Sequence, residues 1–268
     1  MALILGLIQG LTEFLPVSST AHLVLFPWAL GWNDPLLDSL DFDVALHIGT
    51  LVAVLIYFRE DWVKLISAFF SSIRKKKADN PYERLVWLIL FATIPAGVIG
   101  LKFQHQVEHA FRSPLLIAAA LAGVGVVMIF AERSLLRRPR SLSDMNVKDA
   151  LIIGFAQASA IVPGVSRSGS TIIAGLFTGF SRDEAARFSF LLSTPIIAGA
   201  SILKFKHLLH GFLNGEAATL SVGIIASAVS GYLAIAFLIS WVKRNPLNVF
   251  AYYRIALAVG IAALYLAK

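Results

Sequence analysis

Apolar runs of about 20 residues recur along this chain, and they constrain its fold more than any other feature. A helix of that length crosses a hydrocarbon core roughly 30 Å thick, and lipid offers no partner to a backbone group that is left unbonded. The 268 residues are 57% hydrophobic and only 15% charged, which leaves too few charges to coat a soluble domain of this size. The sequence therefore predicts an all-α integral membrane protein.

Six apolar segments predict spanning helices. They lie at residues 40–58, 84–103, 113–131, 185–205, 219–241 and 247–267. Two further segments, 2–31 and 149–180, are interrupted midway by proline, serine and threonine, so neither half reaches the ~20 apolar residues of a span. We interpret each as a re-entrant helical hairpin, which requires its broken backbone to be covered by protein or to line a watery cavity. A pair of kinked spanning helices is the alternative.

The basic residues indicate the orientation of the spans. The net charge of +7 comes largely from the connecting segments 59–84 and 132–148, which is the positive-inside pattern of a membrane protein and argues against a nucleic-acid partner. Both segments, and the turn 242–246, are therefore predicted to be cytoplasmic. The linker 104–112, the loop 206–218 and both termini then lie on the outer side.

The two interrupted segments resemble each other, which predicts an internal repeat. Gly6 precedes Gln9 at the same offset as Gly154 precedes Gln157. The single membrane domain 1–268 then divides into halves of about 1–131 and 149–268, each made of one hairpin and three spans. Because three is an odd number, the second half is inverted, and the two opposed hairpins meet near the midplane, as in transporters built from inverted repeats.

The first hairpin carries a carboxylate, hydroxyls and an imidazole within QGLTEFLPVSSTAH. Gln9 and Glu13 are four residues apart and share one face of the opening helix. After the proline, Ser18 or Ser19 can cap a new helix and leave free N–H groups, which favour an anion. His22 lies on the face of these serines, so that a hydroxyl and an imidazole form a candidate nucleophile and base. The alternative is that the serines are only caps.

The second hairpin carries PGVSRSGST, which predicts an anion cradle. Its glycines allow the backbone to approach a ligand, its hydroxyls donate hydrogen bonds, and Arg167 offers a rigid fork that matches phosphate oxygens. The other candidate phosphate-binding residues of this motif are Gly164, Ser166, Ser168 and Thr171. A salt-bridged, structural role is the alternative for the arginine.

With these motifs together, the chain is similar to the undecaprenyl-diphosphate phosphatase family of bacteria, the bacitracin-resistance membrane phosphatases. Gln9, Glu13 and His22 match its (Glu/Gln)-x-x-x-Glu motif, which runs into PVSST-x-H. Residues 163–171 match its PG-x-SRS-x-x-T motif. The similarity covers essentially the whole chain, including FDVALHIGTLVAVLIYF and the Tyr253-Arg254 pair. Gln9 replaces a glutamate within the allowed pattern, which leaves one acid fewer for a metal.

The resemblance implies hydrolysis of undecaprenyl diphosphate to undecaprenyl phosphate and inorganic phosphate with a divalent cation, Mg²⁺ or Ca²⁺. This reaction recycles the lipid carrier of peptidoglycan synthesis and confers bacitracin resistance. The implied location is the bacterial inner membrane, with the active site facing the outer side. The expected partners are the polyprenyl diphosphate and the bilayer. Whether the protein forms a homodimer is left open.

The resemblance also suggests roles for the polar residues. Glu13, assisted by Gln9, would ligate the metal or activate water, while Arg167 and the hydroxyls of its motif hold phosphate. Ser19 would attack the terminal phosphorus with His22 beside it. Attack by His22, attack by Ser18, which otherwise helps to bind phosphate, and direct attack by water stay open.

Two other polar groups lie within predicted spans. Arg254, about eight residues into the last span, is a candidate phosphate-binding residue, because an intramembrane arginine is usually functional. Alternatively it pairs with Asp43 or Glu13 to lock the fold. His47 is interpreted as a packing residue.

A transporter or flippase for a lipid phosphate is the rival function. Opposed re-entrant hairpins are transporter architecture, and an arginine-lined cavity can carry a head group without cleaving it. Fold alone does not separate the two functions. The combination of Ser19, His22 and Glu13 favours the enzyme.

Overall fold

The computed structural model describes residues 1–37, 39–110, 113–135 and 139–267. The regular elements of these ranges are helices, and one isolated bridge joins Arg140 to Phe180. In chain order the α-helices are α1 (Ala2–Phe14), α2 (Ser19–Leu30), α3 (Leu40–Tyr57), α4 (Arg59–Lys75), α5 (Pro81–Ala110), α6 (Pro114–Arg133), α7 (Val147–Ser159), α8 (Arg167–Phe177), α9 (Arg182–Leu203), α10 (Phe205–Gly211), α11 (Ala217–Val242) and α12 (Asn248–Ala267). The prediction of an all-α protein is confirmed for this part of the chain.

Five helices are long and apolar enough to cross a membrane. These segments are Pro81–Phe103, Pro114–Arg133, Arg182–Leu203, Ala217–Val242 and Asn248–Ala267. Each coincides with a predicted span to within a few residues, because an uninterrupted apolar run of this length has no alternative to a helix in lipid.

The sixth predicted span, 40–58, differs from the other five. Its helix α3 ends at Tyr57, and after Phe58 the chain continues as α4 at an angle of 83°. The segment 59–84 was predicted only as a basic connection, and α4 was not predicted, because its charged residues mask an amphipathic helix. One face of α4 buries Leu65 and Ala68, while Ile66 and Phe70 are exposed.

The segment 206–218, predicted as an outer loop, also contains regular structure. Helix α10 leads into one π-helical segment, Phe212–Glu216, before α11 begins. Helix α5 extends into the predicted linker 104–112 and ends at Ala110. The last two residues of this linker, 111 and 112, lie outside the described residues.

The two interrupted segments form helix pairs with similar breaks. Helices α1 and α2 contain 13 and 12 residues, and α7 and α8 contain 13 and 11, so each is shorter than a span. In each pair, a serine with a positive φ precedes the second helix: Ser18 has φ 76° and Ser166 has φ 74°. Their hydroxyls accept from the N–H groups of Ala21 at 3.4 Å and Gly169 at 3.1 Å. Such backbone strain is typical of functional sites.

The helices of the two halves pack in a reciprocal pattern. Helices α1 and α3 of the first half pack against α11 of the second, and α7 and α9 of the second half pack against α5 of the first. Two further pairs, α3 with α9 and α6 with α12, join corresponding helices of the two halves. Glycines permit the closest approaches. A Cβ atom at Gly6 would lie 2.7 Å from the carbonyl oxygen of Gly223, and one at Gly154 would lie 2.5 Å from that of Ala92. These contacts hold α1 and α7 in position, and with them the polar side chains near their ends.

Candidate active site

An ion pair joins the two polar motifs. The guanidinium of Arg167, the first residue of α8, donates from Nη2 to Oε1 of Glu13, which lies 154 positions earlier on α1. Nη1 donates to the carbonyl oxygen of Ser193 on α9 at 3.1 Å. Both charged side chains are largely buried, and such a pair is strongly destabilised when one partner is removed.

The same carboxylate accepts hydrogen bonds from two polar groups of its own motif. The Ser19 hydroxyl, at the start of α2, donates to Oε2 of Glu13, and the Gln9 amide donates to Oε2 at 3.1 Å. All three residues are buried. A carboxylate bonded to a serine hydroxyl can act as its general base, so Ser19 has the geometry of an activated nucleophile.

His22 has other partners than Ser19. Nδ1 lies 2.7 Å from the carbonyl oxygen of Ser18, so it donates there, and Nε2 lies 2.7 Å from the Tyr253 hydroxyl. The two rings are stacked with their centroids 5.8 Å apart. The expected serine–imidazole pair is therefore not formed in this structure, since Glu13 takes the place of the imidazole. A catalytic role for His22 stays a prediction.

The hydroxyls of the second motif hold the break together. Ser168 donates to the carbonyl oxygen of Leu15 in the first break at 3.1 Å, and Thr171 donates to that of Arg167 at 2.8 Å. Ser166 caps α8, and its side chain lines the cavity described below. Gly164 has φ +96°, which favours glycine. Their roles in phosphate binding stay predictions.

Arg254 is fully buried and joins both breaks. It donates to the carbonyl oxygens of Pro16 at 3.1 Å, Gly164 at 2.7 Å, Val165 at 3.1 Å and Leu121 at 3.2 Å. These carbonyls, rather than the proposed Asp43 or Glu13, are the partners found for it. The fold-locking interpretation is therefore favoured over direct phosphate binding, because four of the five guanidinium N–H groups already donate to backbone carbonyls.

A cavity of about 590 Å³ opens beside the ion pair. Its polar end is formed by residues of both motifs, namely Glu13, Ser18, Ser19, Ser166 and Arg167. Its remaining wall is mainly apolar and comes largely from residues 93–101 of α5 and 195–203 of α9. A cavity with one polar end and a long apolar wall suits an amphipathic ligand.

His47, interpreted from the sequence as a packing residue within reach of the cavity, has polar contacts in the structure. Its ring lines the cavity, with Nε2 3.6 Å from Oε2 of Glu13. Nδ1 lies 2.6 Å from the carbonyl oxygen of Asp43, one turn earlier on α3. In the sequence, the i, i+4 spacing of Asp43 and His47 indicates that both side chains lie on one face of a helix. Both residues line the cavity.

The residues available to a metal ion are few. Among the described residues, no group of three or more histidine, cysteine, aspartate and glutamate side chains is placed to hold one. Glu13 supplies one carboxylate, and the buried Oε1 of Gln9 has no hydrogen-bond partner in the protein. This set fits a cation such as Mg²⁺, which typically takes one or two carboxylates together with substrate phosphates and water.

The fold and the site define an all-helical, multi-pass membrane protein with a buried polar centre beside an apolar cavity. The model of the bacitracin resistance protein BacA family matches residues 2–260, and this chain belongs to that family. It is 49% identical over 267 residues to an undecaprenyl-diphosphatase of Rubrobacter xylanophilus, covering 99% of this chain and 97% of the relative. It is 47% identical over 264 residues to an undecaprenyl-diphosphatase of Thermodesulfovibrio yellowstonii, with 98% and 96% coverage. The resemblance seen in the motifs is confirmed.

Proposed function

We propose that this chain hydrolyses undecaprenyl diphosphate to undecaprenyl phosphate and inorganic phosphate. The observation that carries the proposal is the carboxylate of Glu13, which binds both the Ser19 hydroxyl and the Arg167 guanidinium at the polar end of the cavity. The shared name of the relatives supports the same activity. In the bacterial inner membrane, this reaction recycles the lipid carrier of peptidoglycan synthesis and accounts for bacitracin resistance.

The residues suggest a two-step course. The Ser19 oxygen attacks the terminal phosphorus, Glu13 takes the hydroxyl proton, and the bond to the bridging oxygen breaks, so that undecaprenyl phosphate leaves. Water then attacks the phosphorus of the phosphoserine, the bond from phosphorus to the Ser19 oxygen breaks, and protonated Glu13 returns its proton to that oxygen as inorganic phosphate, H2PO4−, leaves. Arg167 neutralises charge on the transferred phosphoryl group.

A divalent cation, Mg²⁺ or Ca²⁺, belongs to the proposal. Glu13 and Gln9 would hold it at the polar end of the cavity, and most of its other ligands would come from the diphosphate and water. It would supply further neutralisation of phosphate charge.

The prenyl chain binds along the apolar wall of the cavity. The wall continues from Thr93 to Leu101 on α5 and from Pro195 to Leu203 on α9, away from the ion pair. A long prenyl chain can lie between these helices while its diphosphate reaches Glu13. This arrangement explains why the site of such an enzyme is embedded among spanning helices.

We also propose the inverted topology with two re-entrant hairpins. The reciprocal packing of the halves supports it, as do the two similar serine breaks at Ser18 and Ser166. With the basic segments in the cytoplasm, the carboxyl ends of α5 and α9 and the start of α3 lie outside. Leu101 near the end of the α5 span, Lys204 directly after α9 and Asp43 near the start of α3 line the cavity, which supports a site that faces the outer side.

Single-cysteine labelling tests this topology, since the chain contains no cysteine. Asn33→Cys and Lys206→Cys are expected to react with a membrane-impermeant maleimide applied to the outside of intact spheroplasts. Lys77→Cys and Ser143→Cys are expected to react only after the membrane is opened. All four positions are exposed. Reaction of Lys77→Cys from outside would contradict the orientation.

Phosphate release by the purified protein tests the activity. The wild-type protein is expected to release inorganic phosphate from a polyprenyl diphosphate in the presence of Mg²⁺ or Ca²⁺, and less in the presence of a chelator. Arg167→Ala is expected to lower this release at least about 100-fold, because the developing charge loses its cation.

Arg182→Ala is the matched control for this variant. Arg182 forms a comparable ion pair with Glu132, and neither residue lines the cavity. Its loss is expected to lower stability but to leave phosphate release within about twofold of wild type, at a temperature where the protein remains folded.

Transfer of polyprenyl phosphate across the membrane of proteoliposomes by a wild-type protein that releases no phosphate would favour the transporter instead.

A further inference from the structure

Several buried side-chain polar atoms have no hydrogen-bond partner, and two of the residues that carry them, Gln157 and Ser201, line the cavity. In the described ranges these atoms belong to Gln9, Trp62, Gln157, Thr194, Ser201 and Asn248. Gln157 differs from the others because both its amide nitrogen and its amide oxygen are without a partner. A buried carboxamide in this state costs free energy, and native proteins keep few such groups without a reason.

Gln157 stands where a ligand can use it. It lies near the end of α7 and is 3% exposed, and it forms part of the cavity wall together with Ala158 and Ile161. Glu13 and Ser19 of the first hairpin line the same cavity. Residues of both hairpins therefore border the same cavity, and the unpartnered carboxamide of Gln157 lies within its wall.

Comparison with the first hairpin explains why this amide is free. Gln9, its counterpart in the repeat, donates to the carboxylate of Glu13 four residues later. Four residues after Gln157 stands Ile161, which has no acceptor to offer. The second hairpin has thus kept the carboxamide without its partner, and the amide N–H groups are available to an acceptor that enters the cavity.

We propose that the carboxamide of Gln157 binds the phosphate that carries the prenyl chain. The inference rests on the proposed function, in which Glu13, Ser19 and Arg167 take the terminal phosphate. The second phosphate then lies towards the apolar wall, and α7 packs directly against α5 of that wall at Gly154.

The chemistry of an amide suits this phosphate. The terminal torsion of a glutamine is broad, so a small rotation turns the carboxamide from the wall towards the cavity. Its two N–H groups donate to phosphate oxygens, and donation to a charged oxygen is stronger than to a neutral one. Because the amide is neutral, it binds the phosphate of the leaving prenyl monophosphate less tightly than a cation would. The product can therefore dissociate after the reaction.

Gln157→Met tests the proposal, because methionine has a similar length but no hydrogen-bonding amide. For a polyprenyl diphosphate, kcat/KM is expected to fall about 10- to 100-fold, the effect of a lost hydrogen bond to a charged group. The inhibition constant of a polyprenyl monophosphate is expected to rise about tenfold, and that of inorganic phosphate less than about twofold. The thermal midpoint of the ligand-free protein is expected to stay equal or to rise, since an unpartnered amide is removed.

Asn248→Leu is the matched control. The amide oxygen of Asn248 is also buried without a partner, but the residue does not line the cavity, so its kcat/KM is expected to be unchanged. An unchanged kcat/KM in Gln157→Met would overturn the proposal. A fall in the thermal midpoint that matches the loss of activity would show that Gln157 has a structural role instead. A rise in the inhibition constant of inorganic phosphate alone would also overturn the proposal, because it would place Gln157 at the terminal phosphate.

Failure of the proposed function gives a different result from failure of this inference. Stabilisation of the protein by a polyprenyl monophosphate needs no turnover, and a thermal shift measures it in both proteins. If the wild type releases no phosphate, the proposed function fails, while a weaker thermal shift in Gln157→Met still supports the lipid-phosphate contact. If the wild type is active and the two shifts are equal, only the inference about Gln157 fails.

Discussion

Glu13→Gln is expected to abolish phosphate release, with a fall in kcat of at least about 10³-fold. General-base catalysis typically contributes about 10²- to 10⁴-fold, and Glu13 is the group bonded to the Ser19 hydroxyl. The variant also leaves the buried Arg167 without its counter-charge, at a cost of about 3–5 kcal/mol of stability. The measurement is phosphate release from a polyprenyl diphosphate, together with the thermal unfolding midpoint in detergent.

A double variant separates the two effects. Glu13→Gln combined with Arg167→Met removes both charges, so stability is expected to recover towards that of the wild type while activity stays absent. Glu132→Gln serves as the control, because Glu132 is a buried carboxylate paired with Arg182 away from the cavity. It is expected to lose stability and keep kcat. Near-normal hydrolysis by folded Glu13→Gln would rule out Glu13 as the base.

Ser19→Ala has the second large expected effect and decides between the nucleophiles that the sequence leaves open. If Ser19 attacks phosphorus, its loss lowers kcat at least about 10³-fold, because no other group of the site takes over its covalent step. Release of phosphate is the first measurement. A phosphorylated protein trapped by acid quench at early times, present in the wild type and absent in Ser19→Ala, is the second.

Ser18→Gly is the comparison for this variant. Ser18 has φ 76° and caps α2, so glycine removes its hydroxyl without straining the backbone, and the lost cap costs only a few tenths of a kcal/mol. Its activity is expected to stay within about tenfold of wild type. Loss of the trapped phosphoprotein in Ser18→Gly alone would identify Ser18 as the nucleophile. Activity in both variants would point to direct attack by water.

The membrane-embedded fold could be predicted in most of its elements. Five spans follow from uninterrupted apolar runs, and the breaks follow from proline, glycine and serine within 2–31 and 149–180. Helix α4 could not be found by the same means, because charged residues such as Lys64 and Arg74 lower its hydropathy although Leu65 and Ala68 are buried. Amphipathic helices at the end of a span give a weaker signal than the span itself.

The candidate site was predicted in its membership but less well in its contacts. Glu13, Ser19 and Arg167 meet at one cavity, as the repeat suggested. The sequence paired Ser19 with His22 because they lie three residues apart, whereas the structure gives the hydroxyl to Glu13 and the imidazole to Tyr253. Spacing along one helix shows which residues share a face, but not which distant group that face meets.

By itself, the sequence determined the class of the protein, the place of its two polar breaks and its family. These properties are local, since hydropathy, helix breaking and motif spacing depend on residues near one another in the chain. Only the tertiary structure decided that Arg167 pairs with Glu13, that Arg254 binds the carbonyls of both breaks, and that Gln157 is left without a partner. These contacts join residues on helices far apart in the chain, and they exist because close packing at Gly6 and Gly154 holds α1 and α7 in place.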